Sequence, residues 1–592
     1  MATPVDTQFM VAGIDLGTTY SSHAFSFKSD PLPIHAHVWS AGNELSHKTS
    51  SVILLNPDKS FNSFGFNAEK KFTDMAEDMR PEELEAYYYI DSFKMALYQE
   101  TENDNGEVRS GIRRNMEVYD IFGKPIRLTY IIEKSIWYLK DHLLESLNHR
   151  GFQTTVMDVR WVITVPAVWT DQAKLMMREC AHEAGIPDNA LSLAYEPEVA
   201  ALFCKQLPGD QITGTNENVF REGAEFMVVD LGGGTTDVTV QRMFGDKMAS
   251  VFAVSGGPWG GAKVNAEYIN FLIEIFGNEV IRRLKRHDIG GFLELISEFE
   301  VKKRNTDSIQ QKRDITIRLP SELRKIYENF NESCFENAFT EHSNDVALRN
   351  DKMRIKFRKF ESFFSNTISK IIEHLKSLIE EKDIHVPTIL MVGGFSECRL
   401  VSDAITTAFP NHNVIIPMEC DLSVLKGAVL YGHRPQSITA RYCHYSIGIS
   451  LNKPYDPTEH VGAVTFKSGK TTKCGKCFET LFRKGRIVEV GEKATIEVHS
   501  DHRESDREMW KYDVKECEIF TSNKTYPKFV TEAGCNRHAI VTIRPPDGGW
   551  PEVVDGKIEM EVGGTEVIVR YIDETTQRTT TVKLDSLTCL GE

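Results

Sequence analysis

The chain has 592 residues, of which 41% are hydrophobic and 26% charged, and its formal net charge is −16. This length predicts several domains with sizeable cores, and the negative charge argues against a nucleic-acid partner. No apolar run is long enough to span a bilayer, the first residues lack the segments of a signal peptide, and the 11 cysteines form no regular framework. We therefore expect a cytoplasmic protein with no membrane span and mostly free thiols.

An apolar stretch near the N-terminus leads into an acidic turn. Residues 11–14 read as a buried strand that ends at Asp15 and Gly17. Three hydroxyl-bearing side chains come next, which are Thr18, Thr19 and Tyr20. A glycine in such a turn lets backbone N–H groups approach an anion, because no Cβ keeps the anion away. The turn is therefore a candidate phosphate-binding segment.

Strand-like and helix-like stretches then alternate as far as about residue 435. A helical period of apolar residues runs from Ile132 to Leu143, and residues 160–165 read as a buried strand. A further helix is predicted to begin after Thr170 and to end at Gly185. This alternation is typical of α/β proteins with helices layered on a sheet.

A second acidic turn follows another apolar strand far along the chain. Residues 226–229 lead into Asp230. The residues that come after it are small or carry hydroxyl groups, namely Gly232, Gly233, Gly234, Thr235 and Thr236. A carboxylate would repel phosphate unless a cation bridges the two. Two such turns predict a nucleotide gripped from both sides, with a metal ion between them.

Three shorter segments accompany the two turns. Glu196 begins a helix of small residues, a buried strand ends at Gly393 and Gly394, and residues 425–432 read as another small-residue helix. In chain order, the five segments resemble the phosphate turns, connecting helices and nucleoside-contacting turn of the actin-like ATPase superfamily. The residues of these segments are most similar to those of the 70-kDa heat-shock proteins, in a divergent branch of that family.

The resemblance implies the domain organisation. An actin-like ATPase fold of two duplicated, ribonuclease-H-like lobes is expected over residues 1–435, with an inserted helical subdomain at about 258–354. After residue 435 apolar and polar residues alternate between turn signals, which predicts a mainly β domain over residues 436–592. We expect this domain to bind substrates or partners and to lack the family's helical lid.

The resemblance also implies a role for each candidate residue. Asp15 and Asp230 would hold Mg²⁺, through its waters, because Mg²⁺ gives up its hydration shell reluctantly. The phosphates of ATP or ADP would be bound by the two turns, that is by Gly17, Thr18, Thr19, Tyr20, Gly232, Gly233, Gly234 and Thr235. The ribose and adenine would be contacted by Glu300, Lys303, Arg304, Gly393 and Gly394.

Four residues are expected to serve catalysis. Lys94 would neutralise the γ-phosphoryl charge, and Glu196 would orient the attacking water together with Asp237. Thr235 would donate a hydrogen bond to the phosphoryl group. Phosphoryl transfer needs positioning and charge neutralisation more than covalent help, so this set would suffice.

The same residues have simpler explanations. An aspartate before a glycine is common in strand-exit turns, and Glu196 could be favoured by the dipole of its helix. Lys94 could be a solvated surface lysine. The side chains of Glu300, Lys303 and Arg304 could form a charged helix face.

Two features depart from the family pattern. Glu397 stands where the family has an arginine that flanks the adenine, so stacking of the base could be one-sided. Cys474 and Cys477 form a lone Cys-x-x-Cys pair, and the histidines show no His-Glu-x-x-His spacing. A hairpin with two incidental thiols is the favoured interpretation, and a redox switch or a metal site shared with a distant cysteine is the alternative.

The sequence therefore predicts an atypical heat-shock-type protein, resembling a chaperone, that binds Mg-ATP between two lobes and hydrolyses it slowly. Its partners would be protein clients or co-chaperones, and its nucleotide state would control protein binding. A small-molecule kinase on the same fold is one alternative. A scaffold that binds ATP without cleaving it is another.

Overall fold

The computed structural model describes residues 8–41, 44–98, 112–208, 212–213, 219–304, 309–381, 384–460, 462–468, 471–501, 508–563 and 565–583. Two compact units are present. The first comprises the described residues of Met1–Phe220 with Ala224–Thr239 and Ser255–Arg434. The second comprises Arg221–Gly223, Val240–Val254 and the described residues of Pro435–Glu592.

The described residues contain helices and strands in alternation, which confirms the α/β class. The α-helices are α1 Phe66–Asp78, α2 Pro81–Leu84, α3 Leu128–His149, α4 Asp171–Glu183, α5 Glu196–Gln206, α6 Gly261–Phe276, α7 Asn278–His287, α8 Ile289–Arg304, α9 Ser321–Asn331, α10 Phe357–Lys376, α11 Arg399–Ala408 and α12 Ser423–His433. Within the described part of the chain, none of these helices is both long and apolar enough to cross a bilayer.

The strands up to residue 417 are β1 Met10–Leu16, β2 Tyr20–Phe27, β3 Asp30–Ala36, β4 Trp39–Ala41, β5 Glu44–Ser46, β6 Thr49–Ser50, β7 Ile53–Leu55, β8 Phe61–Phe64, β9 Tyr88–Ile90, β10 Glu117–Tyr119, β11 Pro125–Arg127, β12 Val159–Val165, β13 Leu191–Tyr195, β14 Ile212–Thr213, β15 Glu225–Leu231, β16 Thr236–Phe244, β17 Lys247–Ser250, β18 Ser255–Gly257, β19 Ile315–Arg318, β20 Val346–Arg349, β21 Lys352–Ile355, β22 Thr388–Val392 and β23 Asn413–Pro417. The remaining strands are β24 Ile438–Tyr442, β25 Ser446–Pro454, β26 Thr465–Ser468, β27 Thr471–Phe482, β28 Ile487–Glu489, β29 Lys493–Asp501, β30 Lys515–Ser522, β31 Cys535–Ile543, β32 Val553–Gly563, β33 Glu566–Asp573 and β34 Arg578–Lys583.

Two sheets of the first unit have related cores. One has the order β13-β12-β1-β2-β3, in which β1, β12 and β13 are parallel and β2 is antiparallel to β1. The other places β15 parallel to β22 and β22 parallel to β23. The acidic turns follow β1 and β15, so each turn leaves the carboxyl end of a parallel strand. Ligand sites of α/β sheets are usually found at such ends.

The predicted helices around β12 are present. Thr170 caps α4, because its hydroxyl oxygen accepts a hydrogen bond from the Ala173 amide at 3.3 Å. Helix α4 ends before Gly185, which has φ +88°. Helix α3 buries one apolar face that includes Ile132, Ile136 and Leu143. These helices complete the core that surrounds β1 and β12.

The two small-residue helices, α5 and α12, touch backbone to backbone. A Cβ placed on Gly427 of α12 would overlap the Val199 carbonyl of α5. Gly13 of β1 also lies close to α12, since its Cβ would be 3.1 Å from the Leu425 carbonyl oxygen. Only glycine fits at Gly427, and Gly13 has little spare room, which explains these small residues in the sequence.

The second unit is built mainly of strands. One sheet has the order β26-β27-β25-β30-β31, and another has the order β29-β32-β33-β34. Side chains from both sheets meet in one core that includes Phe482, Ile519 and Met560. A turn at residues 573–578 joins β33 to β34, since Asp573 pairs with Arg578 across the two strands.

Candidate functional site

The two acidic turns lie against each other. A Cβ on Gly233 would overlap the side chain of Thr19, and a Cβ on Gly234 would come within 2.5 Å of the Thr18 hydroxyl oxygen. The Thr18 hydroxyl also donates to the Met95 sulfur at 3.8 Å. The turns that follow β1 and β15 therefore face one another. Their glycines are required because threonines of the opposite turn occupy the space that a side chain would take.

The N-terminus of α6 supports the second turn. The amides of Gly260, Gly261 and Ala262 donate to the carbonyls of Gly234, Gly232 and Gly233 at 3.1, 3.2 and 2.8 Å. The turn itself is closed by the Gly232 amide, which donates to the Thr235 carbonyl at 2.9 Å. The positive end of a helix dipole therefore lies beside this turn, where it favours a negative ligand.

Asp15, the acidic residue of the first turn, is buried and has two partners. Lys48 Nζ lies 3.2 Å from its Oδ2, and the Thr164 hydroxyl donates to its Oδ1 at 3.0 Å. Burial acts to raise the pKa of Asp15, but Lys48 and Lys94 outweigh burial and hold the pKa below its usual value. Asp15 is therefore an anion in the folded protein.

Asp230, the acidic residue of the second turn, lies beside Gly393. Gly393 has φ +84°, and a Cβ there would overlap the Asp230 carboxylate. Burial raises the pKa of Asp230 well above its usual value, and Glu196, Asp237 and Asp15 raise it further. Asp230 and Asp15 are thus close enough to repel each other.

Lys94 and Glu196 form a buried ion pair. Lys94 Nζ lies 2.8 Å from Glu196 Oε1, and it also lies 5.1 Å from the centre of the Trp169 ring. Glu196 is in the first turn of α5. Burial raises the pKa of Glu196 to about 7, despite the opposing effect of Lys94. The reading of Lys94 as a solvated surface lysine is wrong, because the residue is only 4% exposed.

Asp237, in β16, is held by the loop that follows β12. Its Oδ1 accepts a hydrogen bond from the Val168 amide at 2.9 Å, and the Thr235 hydroxyl bonds to the same carboxylate. Burial raises the pKa of Asp237, and these hydrogen bonds oppose the rise. Asp237 also lies near Glu196 and Asp230, because its charge raises the pKa of both.

The site therefore collects four buried or nearly buried carboxyl groups and two lysines. The carboxyl groups belong to Asp15, Glu196, Asp230 and Asp237, and the lysines are Lys48 and Lys94. Negative charge exceeds positive charge when all six groups are ionised. A divalent cation with oxygen ligands would balance that excess, so the donor set fits Mg²⁺.

Glu300, Lys303 and Arg304, in α8, form ion pairs with one another, and of the three only Arg304 is exposed. Glu300 contacts Lys303 Nζ at 2.5 Å and Arg304 Nε at 3.0 Å. Lys303 is buried and donates to the Gly261 carbonyl at 3.1 Å. The Arg304 guanidinium lies 4.2 Å from the centre of the Tyr20 ring, so α8 contacts the first turn.

Two residues of the predicted nucleoside turn remain accessible. Gly394 and Glu397 are exposed, and a Cβ on Gly394 would be 3.9 Å from Asp421 Cβ. Glu397 is near enough to Arg304 to interact with it electrostatically. An acid therefore stands where the family has an arginine.

Three further groups of this site were given no role from the sequence. Lys48 and Thr164 bind Asp15, and the Val168 amide binds Asp237. Thr164 and Val168 flank Pro166 at the end of β12, a strand that was predicted. Lys48 lies in a short segment without glycines or a periodic pattern, and no sequence signal marks it.

Cys474 and Cys477 lie on β27, in the hairpin that β26 and β27 form. Their sulfur atoms are 3.2 Å apart and both side chains are buried. The third group close to them is His460, and not a distant cysteine. The Nδ1 atom of His460 accepts a hydrogen bond from the Asp456 amide at 2.9 Å.

Comparison with known proteins finds one matching family model and several similar proteins. The family model described as Hsp70 protein matches residues 142–436. Heat shock 70 kDa protein 12A of Mus musculus is 28% identical, with 99% of this chain and 93% of that protein aligned. The human 12A protein is 28% identical (98% and 91% aligned), and human heat shock 70 kDa protein 12B is 27% identical (98% and 91%). The expected resemblance to the 70-kDa heat-shock proteins and to their divergent branch is therefore confirmed, because residues 142–436 match the family model and nearly the whole chain is similar to heat shock 70 kDa proteins 12A and 12B.

Proposed function

We propose that the chain binds Mg-ATP between its two acidic turns, hydrolyses it slowly and uses the nucleotide state to control protein binding. The observation that carries this proposal is the contact of the turn after β1 with the turn after β15, around a shared group of carboxylates and lysines. Similarity to the Hsp70 family supports a nucleotide-binding, chaperone-like role.

The proposal includes the finer organisation expected from the sequence. Residues 1–435 would form an actin-like domain of two lobes with an inserted helical subdomain at about 258–354, and residues 436–592 a β domain that binds proteins. The similar strand arrangement around β1 and β15 supports the duplication. Protein clients or co-chaperones in the cytoplasm would be the partners.

Asp15 and Asp230 would hold Mg²⁺ through its waters, and the amides and hydroxyls of the two turns would bind the phosphates. The metal would neutralise charge on the β- and γ-phosphates. Arg304 and Tyr20 would border the nucleoside, because their stacked side chains lie where α8 meets the first turn. Gly393 and Gly394 would leave space for it.

Glu196 would orient the attacking water and accept its proton, which requires the ionised carboxylate. In the structure this carboxylate is paired with Lys94. Lys94 can serve the γ-phosphoryl oxygens only if its bond to Glu196 is shared or exchanged. This competition is a physical reason to expect slow turnover.

The first test is calorimetric titration of the full chain with ATP in the presence of Mg²⁺. We expect one saturable site, and we expect Asp230→Asn to weaken binding by about 10-fold to 100-fold, since a charge-assisted contact is lost. The control is Asp78→Asn, which changes an exposed aspartate at the end of α1. Absence of saturable binding by the folded chain would overturn the proposal.

A second measurement separates the two alternatives kept from the sequence. Single-turnover phosphate release is compared for the unchanged chain and Glu196→Ala. Equal rates would favour a scaffold that does not cleave ATP. Transfer of phosphate only after a sugar or alcohol is added would favour a small-molecule kinase.

A further inference from the structure

Three histidines from separate segments of the first unit converge beside β2. His23 is in the middle of β2, His37 follows β3, and His142 is in α3. Each offers a ring nitrogen, and the three nitrogens lie within 4.8 Å of one another. The sequence gives no sign of this cluster, because its members are far apart and follow no short motif.

The rings are held in place by the sheet and by an aromatic wall. The His37 amide donates to the His23 carbonyl at 3.2 Å, which ties the end of β3 to β2. Trp39 stacks on His142 with ring centres 4.5 Å apart, and it meets His37 edge-on at 4.6 Å. Tyr138 lies one helical turn before His142 and also contacts it.

Two of the three nitrogen atoms have nearly the spacing that a shared ion needs. His23 Nε2 and His142 Nδ1 share a hydrogen bond at 2.9 Å, whose proton an ion would displace, and the His37 nitrogen lies within 4.8 Å of both. Two imidazole nitrogens bound to one tetrahedral zinc ion are separated by about 3.3 Å, for Zn–N bonds of about 2.05 Å. The pair therefore needs to open by only a few tenths of an ångström. His23 Nδ1 is buried and has no hydrogen-bond partner among the described residues.

The groups around the three histidines favour one class of metal ion. The charged groups that act on His23 and His37 are other histidines and Arg150, so no carboxylate oxygen is among the candidate ligands. Imidazole suits zinc, copper and nickel, whereas Mg²⁺ and Ca²⁺ prefer oxygen. The ion for this cluster is thus different from the ion for Asp15 and Asp230. His37 and His142 are only half-buried, which leaves a path for a metal ion and a fourth ligand.

We propose that His23, His37 and His142 bind one divalent transition-metal ion, with Zn²⁺ as the physiological choice and a water molecule as the fourth ligand. The ion would join β2, the end of β3 and α3. This site is independent of the proposed nucleotide function.

The test uses the full chain, stripped of metal with a chelator and titrated with Co²⁺ and Zn²⁺. We expect Co²⁺ to give the absorption of a nitrogen-bound ion without sulfur-to-cobalt charge transfer. His37→Gln and His142→Gln should each weaken this binding by at least about 100-fold, since losing a ligand costs at least as much as losing an outer-shell partner. These half-buried positions are chosen because a change at buried His23 could prevent folding.

The matched control is His35→Gln, which changes an exposed histidine in β3, two residues before His37. It should bind Co²⁺ as tightly as the unchanged chain. A second measurement is quenching of tryptophan fluorescence by Cu²⁺, which should be smaller in Trp39→Phe. Unchanged binding in both His37→Gln and His142→Gln would overturn the proposal, as would a signal from sulfur alone, which would place the metal at Cys474 and Cys477. Absence of Co²⁺ and Zn²⁺ binding by the folded chain would also overturn it.

Discussion

Lys94 Nζ and Glu196 Oε1 are 2.8 Å apart, in a place where both side chains are almost completely removed from solvent. The lysine follows β9 and the glutamate begins α5, so two distant segments supply one ion pair. The pair joins the expected phosphoryl-binding cation to the expected water-orienting base. It is therefore the point at which we expect a single change to affect the proposed activity most.

Glu196→Gln should abolish most ATP hydrolysis and keep ATP binding. The amide keeps the size of the side chain but cannot accept a proton from water, and a positioned base usually contributes about 100-fold or more to a rate. Single-turnover phosphate release and calorimetric binding measure the two properties separately. Glu77→Gln, which changes an exposed residue of α1, should leave both unchanged. Equal loss of binding and hydrolysis in Glu196→Gln would contradict the assigned role.

The same variant should change how stability depends on pH. The folded pKa of Glu196 is about 7, raised by burial from an ordinary value of 4.5. Between these values the folded protein holds a proton that the unfolded chain has lost, so the free energy of unfolding falls as pH rises from about 4.5 to about 7. Glu196→Gln cannot titrate and should show a shallower fall across this window.

This prediction is checked by urea unfolding of both proteins at several pH values. The difference between the two curves reports the titration of Glu196 together with its effect on Asp230, whose pKa Glu196 raises. Parallel curves would show that Glu196 titrates at the same pH in the folded and unfolded states.

Lys48→Met should destabilise the protein at neutral pH. The change leaves the buried Asp15 carboxylate without its nearest cation, and breaking such a pair typically costs about 3 kcal/mol. The loss should shrink at acid pH, where Asp15 becomes protonated. Urea unfolding at pH 7.5 and at pH values below 5 measures both effects.

Lys426→Met is the matched control for Lys48→Met. Lys426 pairs with Glu419, whose side chain is half exposed, and pairs of this kind contribute about 1 kcal/mol or less. If both variants lost the same stability, the burial of the Asp15 pair would have no special energetic effect.

Gly427→Ala should be strongly destabilising, although alanine is the better helix former. The new methyl group would overlap the Val199 carbonyl, and forced separation of two helices costs about 1–3 kcal/mol or more. Gly290→Ala, in the first turn of α8, should be neutral or stabilising by up to about 1 kcal/mol, because its nearest neighbour would be 3.8 Å away. Thermal unfolding compares the two variants, and a stable Gly427→Ala protein would contradict the close helix contact.

The sequence predicted the parts of the site that follow local rules. Asp15 and Asp230 were found because each ends an apolar strand and precedes glycine, and Glu196 because it begins a helix of small residues. These patterns act within a few residues of chain. The helix between Thr170 and Gly185 was predicted for the same reason, from its N-cap and its terminal glycine.

The residues that were missed depend on tertiary contacts instead. Lys48 is important only because its segment lies over Asp15, and a lone lysine in a polar stretch gives no sign of that. His142 looks like any polar position of an amphipathic helix until α3 packs on β2. His460 joins Cys474 and Cys477 only after the β26–β27 hairpin brings them together.

The backbone contact of Gly427 with Val199 has a mechanical consequence. Large interlocking side chains would resist rotation of one helix on the other, because each would have to leave its preferred rotamer. At Gly427 there is no such side chain, and the backbone of α12 rests directly on the Val199 carbonyl. Val199 lies one helical turn after Glu196 in α5, so a displacement of α12 at this contact would also displace Glu196.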